Sequence, residues 1–368
     1  MVTLLCGHKL RPGPLAAVCR QVPSRPGNHI NWFVNRGWII DLVKQPLPVF
    51  AGHAPGTKGR SPIEAVSGPE RRHTTKTITP WQGRLQITVS STPPPSSPIP
   101  AAGGFGHADA TESSRANRLW WDFDADNYHR EHSRFLGADQ PEGKFLWSPE
   151  YFDEADHHLL GDVRDKDVLE FGCGSAPCSR WLNHTGVGTI TAFDISAGML
   201  RHGVDASTGT PVVPLVQADA LAMPFKDNCF DVAFTAYGAI GFVADSQQLM
   251  HEAARVLRPG GRLVFSVLHP FRWVFRDEPG EEGLIAYLSY FDRSPYIERD
   301  PVTRTITYAE HHRTIGDRIR ELLAAGFILD DFIEPEWPDN LEESFNQFSP
   351  TRGRIIPGTA IIVAHLPD

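Results

Sequence analysis

Val168-Leu169-Glu170-Phe171-Gly172-Cys173-Gly174-Ser175-Ala176 closes an apolar run with Gly-x-Gly and opens into a helical pattern. A parallel strand that ends this way brings its backbone close to a ligand at the carboxyl edge of an open α/β sheet. Dinucleotide loops share the pattern, so the neighbouring residues decide. Such a loop usually carries a third glycine where its helix packs against the strand; the matching position here is Pro177, after Ser175 and Ala176. Glu170, two residues before the first glycine, points an anion at the ligand. That suits a cationic group and not a pyrophosphate.

Further strand ends follow at regular intervals. Asp194, 24 residues after Glu170, ends the segment Thr189 to Phe193 and is placed to accept hydrogen bonds from both hydroxyls of a ribose. Asp219, 25 residues later in Gln217-Ala218-Asp219-Ala220, follows the apolar Val212 to Val216 and carries a carboxylate for an adenine amino group. Phe230 to Phe234 and Arg255 to Phe265, the latter interrupted by Pro259-Gly260-Gly261, complete the series. With these motifs in order, the chain resembles the class I S-adenosylmethionine-dependent methyltransferases, in particular the small-molecule, ubiquinone/menaquinone methyltransferase-like branch. The resemblance spans residues 115 to 366 and is most specific from Val168 to Val267.

It implies S-adenosyl-L-methionine as cofactor, with Glu170 facing its α-amino group. It also implies a cofactor-binding set of Tyr128, Glu170, Gly172, Cys173, Gly174, Asp194, Ile195, Met199, Asp219 and Ala220. The expected fold is α/β: a Rossmann-like, doubly wound, mostly parallel seven-stranded sheet whose last strand is antiparallel. In the family an N-terminal segment with a tyrosine folds over the cofactor. Arg118 to His129, rich in aromatic residues, is the matching helix, and Tyr128 the matching tyrosine.

Charge divides the chain. Residues 1–100 hold 12 Lys/Arg against 3 Asp/Glu, and residues 101–368 hold 23 against 41. The acidic, motif-bearing part repels phosphate backbones, so a nucleic-acid partner is not expected. Five cysteines form no paired spacing, and Cys173-x4-Cys178 lacks a second pair to complete a metal site. A reducing, cytoplasmic setting follows, with no metal, membrane span or secretory signal. The expected partner is a small-molecule acceptor.

Residues 1–105 are rich in Pro, Gly, Arg and Ser and lack sustained periodicity, so a largely disordered extension is expected. Only Asn31 to Leu47 carries an apolar run suited to a short helix or strand. The extension reads as an upstream continuation of the reading frame, with an interaction tail as the alternative. The methyltransferase domain is expected over residues 106–368. It comprises a lid helix near 115–135, a motif core over 165–268, an irregular aromatic insertion over 270–304, and a C-terminal helix and strand pair over 305–368. Leu249, Ala253, Val256 and Leu257 share one helical face, as do Ile315, Ile319, Leu322 and Leu323.

Methyl transfer from a sulfonium needs little covalent help, because the leaving thioether is neutral. A hydroxyl acceptor adds the need for a general base. Candidates at strand ends are His312, His269 and Tyr237, with His311 beside them. The family often carries His-Arg near the acceptor, which fits His312-Arg313. A hydrogen-bonded structural role is the alternative for each. Rival functions are a non-catalytic module that binds S-adenosylmethionine and an NAD-dependent oxidoreductase. Pro177 and Glu170 argue against the latter.

Overall fold

The computed structural model describes residues 31–34, 38–40, 102–138, 140–207 and 212–368. Its strands are β1 Asn31–Val34, β2 Trp38–Ile40, β3 Ala102–Phe105, β4 Asp167–Phe171, β5 Thr189–Asp194, β6 Leu215–Gln217, β7 Phe230–Ala236, β8 Leu257–Leu268, β9 Tyr296–Arg299, β10 Ile306–Glu310, β11 Ile328–Ile333 and β12 Thr359–His365. Its helices are α1 Ala110–Leu136, α2 Glu154–His157, α3 Pro177–Thr185, α4 Ala197–Ala206, α5 Ser246–Val256, α6 Ile315–Ala324 and α7 Pro350–Gly353.

The main sheet runs β11-β12-β8-β7-β4-β5-β6-β1-β2. From β8 to β6 every pairing is parallel, and β12 lies antiparallel between β8 and β11. These seven strands are the expected Rossmann-like sheet. Strand order reverses between β4 and β7, which opens a crevice at their carboxyl ends. Beyond the expectation, β1 pairs antiparallel with β6 through Trp32 and Val216, and β2 extends that edge. Most of the proposed 1–105 extension lies outside the described residues.

Period-2 alternation sorts the strands' side chains to two faces. Leu169, Phe171, Phe193 and Ile362 pack with Leu249, Ala253 and Val256 of α5 and Leu322 of α6. Val168, Phe234, Ile361 and Val363 pack on the other face with Leu182 of α3 and Leu200 of α4. Burial on both faces is why these strands read as near-continuous apolar runs. Pro177 opens α3 at its first position, where a missing N–H costs nothing.

Three sequence expectations need correction. First, β8 begins at Leu257, before Pro259-Gly260-Gly261; the register jumps from Phe230–Leu257 to Val232–Arg262, so these residues bulge out of one continuous strand. Second, the insertion is not irregular throughout. Its segment Tyr296–Arg299 is β9, the centre of a second sheet ordered β10-β9-β3. Third, Ala102–Phe105 belongs to that sheet as β3, pairing with β9 from Ala102–Arg299 to Phe105–Tyr296, so order begins ahead of the expected boundary at residue 105.

Among the described residues no helix is long and apolar enough to cross a membrane. Cys173 and Cys178 carry free, buried thiols.

Candidate functional site

A cavity of about 770 Å³ opens at the carboxyl edge of β4, β5 and β7 and is roofed by α1. Every candidate residue read from the sequence lies on its wall: Tyr128, Glu170, Gly172, Cys173, Gly174, Asp194, Ile195, Met199, Asp219, Ala220, Tyr237, His269, His311 and His312. The volume falls within the usual range for small-molecule sites, about 300–1,000 Å³.

The turn after β4 is shaped by backbone. Gly172, Gly174 and Ala176 all have positive φ, at 67°, 54° and 54°, and alternate with Cys173 and Ser175. A Cβ at Gly172 would collide with the Ala239 amide nitrogen, and one at Gly238 with the Gly172 carbonyl oxygen, so the two loops meet through glycine. Arg180, buried beneath, donates from Nη1 to Ser175 O at 2.6 Å and from Nη2 to Ala138 O at 2.7 Å.

Asp194 ties this turn to the next strand. Its Oδ2 accepts from the Gly174 amide and its Oδ1 from the Ser196 amide, both at 2.8 Å. Each oxygen keeps acceptor capacity for a ligand hydroxyl. Burial raises the Asp194 carboxyl to about 6. Glu170 is fully enclosed. Its Oε2 accepts from the Ser179 amide at 3.1 Å and from the Ser179 hydroxyl, and burial raises its carboxyl to about 8. Asp219 caps the short turn Ala220–Ala222, accepting from the Leu221 amide at 2.9 Å.

The N-terminal half of the roof helix is fixed at two points. Asn117 of α1 donates to Phe242 O and Ala309 O, both at 2.8 Å, and accepts from the Ala309 amide at 2.9 Å. Asp122 accepts from the Ser196 hydroxyl at 2.8 Å and the Gly198 amide at 2.9 Å at the start of α4. Between them Trp121 packs edge-on against Phe242 and Tyr128. Burial pushes the Tyr128 phenol up to about 12.

The base candidates separate by their hydrogen bonds. His269 accepts from the Phe271 amide at Nδ1, 3.1 Å, and places Nε2 2.8 Å from Glu334. Its one lone pair is therefore taken. Tyr237 bonds Thr359, whose hydroxyl proton goes to Glu150 Oε2 at 2.7 Å, so the phenol is the donor to Thr359. Burial raises that phenol further, and it stands as a fixed neutral hydroxyl. Neither arrangement suits the base role expected from sequence. His311 pairs with Ser113 at 2.9 Å and is driven down to about 4, by burial first and then by Arg313 and Arg318.

His312 differs. Its Nε2–H donates to Tyr290 O at 2.8 Å, which leaves the lone pair on Nδ1, and Nδ1 makes no hydrogen bond among the described residues. The ring stacks on Trp273 with centroids 5.4 Å apart and planes 7° from parallel. Burial lowers its pKa, so it is neutral near pH 7.

Asn117, Glu310 and Arg318 are among the wall residues that the sequence did not single out. Asn117 gave no signal, being one polar residue on an amphipathic helix. Glu310, held up at about 7 by burial and 3.4 Å from the Tyr308 hydroxyl, ends β10 just before the His311-His312 pair. Arg318 did leave a trace: it occupies the i+3 position of the stripe Ile315, Ile319, Leu322, where an apolar residue belongs.

Residues 169–265 match a family model described as a methyltransferase domain. Over 119 residues the chain is 37% identical to a demethylmenaquinone methyltransferase of Mycolicibacterium paratuberculosis, which covers 32% of this chain and 49% of that one. Over 115 residues it is 41% identical to a ubiquinone/menaquinone biosynthesis C-methyltransferase of Roseobacter denitrificans, covering 30% and 46%. The chain thus spans about half the length of these curated relatives. An S-adenosylmethionine-dependent methyltransferase of Mesorhizobium loti superposes with a TM-score of 0.47 at 24% identity, covering 57% of this chain and 95% of that structure.

Proposed function

We infer that this chain, which belongs to the class I S-adenosylmethionine-dependent methyltransferase family through residues 169–265, transfers a methyl group to a small organic acceptor by in-line displacement. The observation that carries this reading is the carboxylate series along one sheet edge. Glu170 is the second-to-last residue of β4, Asp194 ends β5 and Asp219 follows β6, and all three line the same cavity beside a turn open to close backbone approach.

The residues fit the cofactor. Glu170 would face its ammonium, Asp194 its ribose diol and Asp219 its adenine amino group. Tyr128 and Met199 would supply apolar cover. S-adenosylmethionine supplies a methyl group on a sulfonium whose departure leaves a neutral thioether.

The chain's own work is positioning and exclusion of water, worth up to about 7–11 kcal/mol for well-oriented reactants. The roof formed by α1 and held by Asn117 and Asp122 supplies the exclusion. Trp120, Phe242, Trp273 and Tyr308 line the acceptor side and suit a flat or apolar acceptor. For a hydroxyl or other acidic acceptor, His312 Nδ1 would take the proton while the Tyr290 carbonyl holds the ring by Nε2–H.

The test is incubation of the full chain with methyl-labelled S-adenosylmethionine and a small-molecule extract of the native host. Label is expected in a low-mass product, with S-adenosylhomocysteine formed in equal amount. Tight cofactor binding with no methyl loss across broad acceptor panels would identify a binding module instead.

A further inference from the structure

The acceptor side of the cavity contains a cation without its full complement of anions. Arg318, in the first turn of α6, is 4% exposed and reaches the cavity wall. Its Nη1 donates to Glu321 Oε2 at 3.2 Å. Its Nε is buried without a partner, and its Nη2 makes no hydrogen bond among the described residues.

Glu321 is already shared. Its Oε1 accepts from the Ser246 hydroxyl at 2.7 Å and from Arg313 Nε at 3.1 Å. Arg313 is satisfied elsewhere too, donating to His312 O and Ala244 O at 2.9 and 2.7 Å. Asp317 lies next in sequence, yet Arg293 and Arg320 engage both its oxygens. Two guanidiniums, Arg318 buried and Arg313 partly buried, therefore share one carboxylate. A buried charge is costly unless paired. The excess is local: Glu310 and Asp277 also line this cavity, Asp277 held by Arg272, but at Arg318 itself a ligand that brings one negative charge would complement the shortfall.

We propose that Arg318 receives a carboxylate on the acceptor, so that the substrate is a small aromatic acid. This rests on the methyltransferase reading above and names its substrate class. A single open Nη2 edge and one unit of excess charge match a monoanionic carboxylate, whose pairing with arginine is charge-assisted. Trp120, Trp273 and Tyr308 supply the ring-stacking surface, and His312 lines the same cavity.

Calorimetry on the full chain saturated with S-adenosylhomocysteine tests this. The probes are hydroxybenzoate, hydroxyphenylacetate and hydroxycinnamate, each compared with its amide. At least one acid should bind about tenfold or more tightly than its amide. Arg318→Gln should erase that difference, and Arg318→Lys should keep part of it. Affinity for S-adenosylhomocysteine should stay at the wild-type level in both variants, which also reports intact folding. Equal binding of acids and amides, no binding of either, or an acid preference that survives Arg318→Gln would overturn the proposal while leaving the methyltransferase reading intact. Loss of S-adenosylhomocysteine affinity in Arg318→Gln with unchanged melting would overturn it too, by placing the arginine on the cofactor. Failure of the wild-type chain to bind S-adenosylhomocysteine would defeat the methyltransferase reading itself.

Discussion

The Gly174 amide donates to Asp194 Oδ2 at 2.8 Å, joining two loops 20 residues apart. The carboxylate assigned to the ribose therefore also holds the turn against which the rest of the cofactor would lie. Recognition and loop geometry rest on one side chain, and changes nearby should affect binding before they affect the fold.

Gly172 is the position where backbone leaves least room. It has φ of 67°, and a Cβ there would strike the Ala239 amide. A non-glycine residue in such a conformation costs about 1–3 kcal/mol before any collision is counted. Gly172→Ala should lower the melting temperature by several degrees and abolish S-adenosylhomocysteine binding. Thermal melts and calorimetry read both, and an unchanged melt with wild-type affinity would show that the loops are not in contact.

Asn117 anchors the roof through three hydrogen bonds at a nearly closed site. Asn117→Ala leaves the Ala309 amide and carbonyl without these partners, at a cost of about 1–3 kcal/mol for each buried group that stays unsatisfied. Limited proteolysis should then cut within α1 while β4 to β8 remain protected. Identical cleavage in variant and wild type would mean that α1 is held by its aromatic contacts alone.

Cofactor binding should release a proton near pH 7. Burial raises the Glu170 carboxyl to about 8, so it is mostly protonated in the cofactor-free chain at that pH. An ammonium placed against it favours the ionised form. The proton must leave on binding, and affinity should rise as pH climbs from about 6 towards 8. Calorimetry in buffers of differing ionisation enthalpy counts that proton; Glu170→Gln should remove it. Release that persists in the variant would assign it to another group.

The two buried histidines give opposite expectations. With His312 Nδ1 free, turnover of an acidic acceptor should fall as pH drops through the His312 pKa, which burial sets below the usual value of about 6.5. His312→Asn should lose that acidic limb and about 10²–10⁴-fold in rate, with cofactor affinity unchanged. His269→Asn should keep the limb, because its Nδ1 is occupied by the Phe271 amide. A limb lost only in His269→Asn would reverse the assignment.

The parts of the fold legible in the sequence are those in which backbone chemistry restricts residue choice. Gly172 and Gly174 are required where the turn adopts positive φ, the acidic residues recur at strand ends, and α5 and α6 keep their apolar stripes because they cover the sheet. The second sheet was hidden because β3, Ala-Gly-Gly-Phe, pairs through backbone and carries no alternating pattern. β9 pairs over only four residues inside a stretch whose aromatic content dominates the reading. Proton direction was hidden as well. That His269 and Tyr237 are committed to Glu334 and Thr359 depends on residues 65 and 122 positions away.

The most direct test of the central claim is calorimetric titration of the full chain and of Asp194→Ala with S-adenosylhomocysteine and with NAD. The wild-type chain is expected to bind S-adenosylhomocysteine and not NAD. Asp194→Ala should weaken that binding about 10–100-fold, as loss of charged hydrogen bonds to the ribose requires, with the fold retained. Preference for NAD, or equal S-adenosylhomocysteine affinity in variant and wild type, would contradict the account.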